Sequence, residues 1–111
     1  MIRFTFLLLV AVVLSGCNAS SSKPTPLQLW SDHKSLSVSA EVCSERARAA
    51  VGALGFTEIV KKDNFTYANH GPNRAAVKCI SMQGGSFVYF AVAGPDKASV
   101  EKLRNQISWK L

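Results

Sequence analysis

Ala75-Ala76-Val77-Lys78-Cys79-Ile80-Ser81-Met82-Gln83-Gly84-Gly85-Ser86-Phe87-Val88-Tyr89-Phe90-Ala91-Val92-Ala93 contains two apolar runs separated by a polar break with two glycines. Runs of β-branched and aromatic residues joined by a short glycine-bearing turn form a hairpin. The second run is apolar on both faces, which predicts an interior strand. Strand alternation sends Phe87 and Tyr89 to one face and Phe90 to the other. On the first run, Val77 and Cys79 share one face, and Ile80 and Met82 share the opposite one.

Helical signals flank this hairpin. Toward the N-terminus, Ser39 is an N-cap residue and Glu41 falls in the first turn, where it faces the positive helix end. Cys43, Ala47, Ala50, Val51 and Leu54 then recur at helical spacing, with Glu41, Glu45 and Arg48 on the other side. Gly55 ends this helix as a left-handed cap. Toward the C-terminus, Gly94-Pro95 stops the strand and Asp96 caps a last helix, on which Val100, Leu103, Ile107 and Leu111 share a face. Between helix and hairpin lie two β-prone pieces, Phe56 to Val60 and Phe65 to Ala68, with His70-Gly71-Pro72-Asn73 as a strong break. Leu36-Ser37-Val38 alternates like a short edge strand.

These elements predict an α+β, two-layer sandwich over residues 36–111: an antiparallel sheet of three to four strands with two helices on one face. Cys43 lies on the apolar helix face and Cys79 on the strand face with Val77. A sheet face opposite a helix brings two such cysteines within bridging distance. A Cys43–Cys79 bridge closes a loop of about 36 residues, for which chain entropy assigns roughly 4 kcal/mol. The body also resembles small exported bacterial proteins of unassigned function, through Cys43, Leu54-Gly55-Phe56, Val77-Lys78-Cys79 and Val92-Ala93-Gly94-Pro95. That resemblance implies the fold and brings no activity with it.

The start of the chain carries an address. Arg3 precedes an uncharged run from Thr5 to Leu14, containing Leu7, Leu8, Leu9, Val10, Val12 and Val13. A basic start followed by an apolar stretch this short has the form of an export signal, not of a permanent membrane span of ~20 residues. The run ends in Leu14-Ser15-Gly16-Cys17, which resembles the lipobox of bacterial lipoproteins. The resemblance implies cleavage after Gly16 and a diacylglyceryl group on the Cys17 sulfur. With two or three acyl chains, attachment to the membrane is lasting. Asn18, where an aspartate often signals inner-membrane retention, favours the outer membrane over the inner, with the protein facing the periplasm. Residues 17–35 read as a lipidated cysteine and flexible tether, since Pro24 and Pro26 discourage helix. As a random coil such a tether reaches on the order of 25 Å. Leu27, Leu29 and Trp30 interrupt it, and either dock on the domain or rest in the lipid interface.

Without residues 1–16, 95 residues remain, with 12 Lys and Arg against 7 Asp and Glu. That length suits one domain. The positive charges are scattered, Lys61-Lys62 being the one adjacent basic pair, and export removes most opportunities to meet nucleic acid; none is expected as a partner. An exported, oxidising compartment favours pairing of the two cysteines besides Cys17. No cofactor is expected, and no metal, because no further His or Cys stands at ligand spacing. His33 in the tether and His70 in a turn lack a patterned nucleophile or carboxylate partner, so no catalytic residue is named. Gly84-Gly85 is not followed by the lysine-bearing helix start of a phosphate loop, so hairpin chemistry explains it.

Binding candidates remain. On an ideal helix Trp109 falls about 180° from Val100, either through fraying of the last turn or as an exposed anchor for a partner. Ile80 and Met82 lie on the sheet face away from the helices, where an apolar patch suits association. The leading expectation is a non-enzymatic accessory or protein-binding lipoprotein, attached to the membrane through Cys17 and meeting an envelope protein or a second copy of itself. The alternative is an inhibitor or immunity protein acting on an envelope toxin or a cell-wall hydrolase.

Overall fold

The computed structural model describes residues 26–111. The expected export signal, Cys17, Asn18 and the first part of the expected tether lie outside the described residues. The elements run β1 (Gln28–Leu36), α1 (Ala40–Ala53), β2 (Thr57–Lys62), β3 (Phe65–His70), β4 (Asn73–Met82), β5 (Gly85–Gly94) and α2 (Lys97–Lys110). All five strands form one sheet in the order β1-β5-β4-β3-β2, and every pairing is antiparallel. Both helices pack on the same sheet face, as expected; α2 lies over β1 and β5, while α1 spans β2 to β5.

The sheet is larger than the three to four strands anticipated, and the extra strand comes from residues expected to be tether. Gln28 to Ser35, assigned to flexible chain, pair with β5 from Gln28 opposite Gly94 to Leu36 opposite Ser86. The folded domain therefore begins at least eight residues before Leu36. The expected strand at Leu36-Ser37-Val38 is the end of β1 followed by a bend. This edge is held by α2: Trp30 lies beneath the cations of Lys97 (5.5 Å) and Arg104 (5.4 Å), and Lys34 Nζ donates to the Ser108 carbonyl at 3.1 Å. Of the three side chains left open between domain and lipid, Trp30 packs against the core, while Leu27 and Leu29 stand exposed.

The strands β2 to β5 are joined by three two-residue turns, Asp63-Asn64, Gly71-Pro72 and Gln83-Gly84. Gly84 takes φ +82°, a conformation that glycine adopts without steric cost. Gly85 is required for a different reason: a Cβ there would lie 2.1 Å from the Leu36 carbonyl oxygen. The double glycine thus turns the hairpin and lets the end of β1 approach it.

The core lies between helices and sheet. Helix α1 begins at Ser39, whose side chain accepts from the Val42 amide, and ends at Leu54, followed by Gly55 at φ +84°. Its buried face is mostly small (Ala40, Cys43, Ser44, Ala47, Ala50, Val51), so its backbone approaches the sheet closely. Cys43 and Cys79 are bonded across this gap with their α-carbons 6.0 Å apart. Val88, Phe90 and Val92 of β5 rise from the sheet beneath α2, in one buried cluster with Val100, Leu103 and Ile107. At about 25 cal/mol per Å² of apolar area, such side chains each contribute about 1.5–3 kcal/mol.

Candidate functional site

The helices cover one sheet face, and alternation leaves the other to solvent. The Cys43–Cys79 bond fixes which is which, because Cys79 and Val77 must face α1. Lys78, Ile80 and Met82 therefore project from the uncovered face. Ile80 is 43% exposed and Met82 52%, as their strand positions predict.

The register assembles more of this face than the hairpin alone suggests. Ile80 lies opposite Phe87. One row then crosses all five strands: His33 opposite Tyr89, Tyr89 opposite Lys78, Lys78 opposite Phe65, and Phe65 opposite Lys62. The neighbouring row holds Ser31, Ala91, Ala76, Tyr67 and Val60, so small residues form a shallow floor beside the rings. Arg74 and Asn69 continue the face beyond it.

The rings are held in place by one another and by cations. His33 stacks on Phe87 at 5.3 Å, and Phe65 on Tyr67 at 5.4 Å. Lys78 Nζ lies 4.6 Å from the Phe65 ring centre and the Arg74 guanidinium 5.6 Å from that of Tyr67. A cation over a ring face is attracted by its negative quadrupole. The strands contribute the cations Lys62, Arg74 and Lys78 to this face, and one carboxylate meets it at the rim: Glu58, in the bulge of edge strand β2, accepts from Asn69 Nδ2. The face is aromatic, apolar and cationic.

His33 was assigned to the tether, and the structure places it in β1 on this face. Phe65, Tyr67 and His33 belong to the site but escaped sequence reasoning: the side on which Phe65 and Tyr67 stand depends on the hairpin registers of β3 with β2 and β4, and that of His33 on the pairing of β1 with distant β5. Trp109 stands on the other layer, 80% exposed in the last turn of α2. It borders a cleft of about 410 Å³ with Lys102, Asn105 and Gln106. The helix continues through Trp109 to Lys110, so the exposure is that of an ordered helical side chain.

The polar cleft beside α2 offers weaker chemistry. It holds about 420 Å³ between His70, Asn73, Asp96, Ser99 and Lys102. Asp96 serves the helix: it accepts from Ser99 Oγ at 2.7 Å and from the Ser99 amide at 2.9 Å. Those bonds, the side-chain one first, hold its carboxyl below the usual carboxylate range. The His70 ring lies edge-on to Phe56 at 5.1 Å. Among the described residues, no three His, Cys, Asp or Glu side chains are grouped to hold a metal ion, and no helix is long and apolar enough to cross a membrane. Comparison with known proteins returns nothing: no family model, no curated protein and no solved structure matches the chain.

Proposed function

We propose that this chain is a lipid-anchored accessory domain of the periplasmic side of the outer membrane, working by binding and not by catalysis. Cys17 carries the lipid, and residues 26–111 form the binding body. The observation that carries this reading is the uncovered face of the five-stranded sheet, where Ile80, Met82 and Tyr89 stand in solvent beside stacked rings. A monomeric soluble domain rarely leaves a contiguous apolar area of that kind without a use for it. The disulfide suits the role, because a rigid surface loses little entropy when it binds.

A second reading, inhibition of an envelope toxin or cell-wall hydrolase, draws on Trp109. An ordered tryptophan projecting from a helix is the side chain most often found at the energetic centre of a protein interface. The two readings separate by cross-linking in growing cells, with a photoreactive residue placed at Met82 or at Trp109 in the full chain. An accessory binding domain gives cross-links, to protein or to lipid, from position 82, whereas an inhibitor gives one dominant hydrolase or toxin product from position 109. Absence of cross-links from both positions contradicts a binding role.

A further inference from the structure

We infer that the uncovered sheet face lies on the membrane itself, docked on an anionic phospholipid surface; this rests on Cys17 carrying the lipid anchor. The first ground is reach. Because β1 begins at Gln28, ten residues separate the anchor from the sheet, and a chain of that length spans at most about 35 Å even when fully extended. The domain is confined to the bilayer surface and presents one side or another to it.

The second ground is where the chain enters. Leu27 and Leu29 are 69% and 68% exposed. Leu29 opposes Ala93 on the uncovered face, so the first folded residues after the anchor place apolar side chains on that side. Along β1 the face continues through Ser31, His33 and Ser35, away from the anchor.

The third ground is composition. A bilayer interface favours aromatic rings at headgroup depth, aliphatic side chains just below, and Lys or Arg reaching the phosphates. The face offers all three: Phe65, Tyr67, Phe87 and Tyr89; Leu29, Val60, Ile80 and Met82; and Lys62, Arg74 and Lys78. Three cations against the single rim carboxylate of Glu58, itself bonded to Asn69, complement an anionic leaflet, which attracts cations held near its surface. The same charge argues against a second copy as occupant, since packing two such faces together would bring their cations into opposition. The helix layer, with Glu41, Glu45 and Glu101 among its cations, has no such bias. Docking by the sheet also leaves Trp109 pointing away from the membrane, free for a protein.

The test is hydroxyl-radical footprinting of the lipidated full-length protein on vesicles containing phosphatidylglycerol and on vesicles of phosphatidylcholine alone. Intact mass first establishes the diacylglyceryl group on the sample, so that failure of the anchor and failure of the docking face are read separately. Oxidation of Met82 and Tyr89 should slow several-fold on the anionic vesicles, with Trp109 unchanged as an internal reference. The protection should vanish in the variant Lys62→Glu, Arg74→Glu, Lys78→Glu. It should also fall in the unaltered protein as salt is raised, which needs no variant to fold. Equal oxidation of Met82 on both vesicle types would overturn the inference. So would protection that survives high salt, or protection supplied by soluble cell-wall fragments without vesicles, which would assign the face to a glycan.

Discussion

Cys79 of β4 is bonded to Cys43 of α1, while its neighbour Ile80 projects to solvent opposite Phe87. One covalent bond therefore fixes the sidedness of the strand. A one-residue slip would send Ile80 and Met82 into the core and Cys79 out of it. The staple that holds the two layers together also determines which residues the molecule offers to a partner.

The first prediction follows from that bond. Replacing Cys43 and Cys79 with alanine should lower stability by about 2–5 kcal/mol, the usual cost of removing a native disulfide from a small domain. Denaturant unfolding of the oxidised and substituted proteins measures it. Equal midpoints would show that packing alone holds α1 on the sheet.

Gly85→Ala is predicted to disturb β1 more than the rest of the sheet. The added Cβ meets the Leu36 carbonyl at 2.1 Å, and this neighbour is backbone. A cost of roughly 1–3 kcal/mol is expected from such overpacking. Amide exchange should quicken at the Leu36 end of the β1–β5 pairing while β3–β4 stays protected. Uniform protection along β1 would contradict the close approach.

Asp96 predicts a local pH dependence. Its carboxyl is held below the usual range by Ser99, so the charged form is favoured in the folded state. The stabilisation is present above the unfolded carboxylate pKa and is lost as pH falls through the lower, folded one. The first turn of α2 should fray at acid pH, seen as faster exchange of the Ser99 and Val100 amides once intrinsic exchange is corrected. Asp96→Asn should keep a capping oxygen and flatten this dependence. Fraying that is unchanged in Asp96→Asn would point to another titrating group.

Much of the fold was legible from local chemistry. Ser39 and Asp96 cap the two helices, Gly84 turns the hairpin, and the small apolar stripe of α1 faces the sheet. Strand β1 was hidden because its helix-side residues include Gln28, Trp30 and Lys34, which break the apolar alternation of a buried strand. They work at the sheet edge, where Lys34 reaches the end of α2 and Trp30 lies under two cations. The site was half legible. Ile80 and Met82 followed from the sidedness of Cys79, but the row from His33 to Lys62 depends on three successive hairpin registers and on the pairing of β1 with β5, far apart in sequence.

The most direct test of the account is metabolic labelling with a fatty-acid probe, comparing the full-length protein with Cys17→Ser. The account predicts label on the unaltered chain, a mature form beginning at residue 17, and an unlabelled, uncleaved or mislocalised precursor for Cys17→Ser. Equal labelling of both proteins, or no labelling of either, would contradict the lipid anchor on which the binding role and the membrane docking both rest.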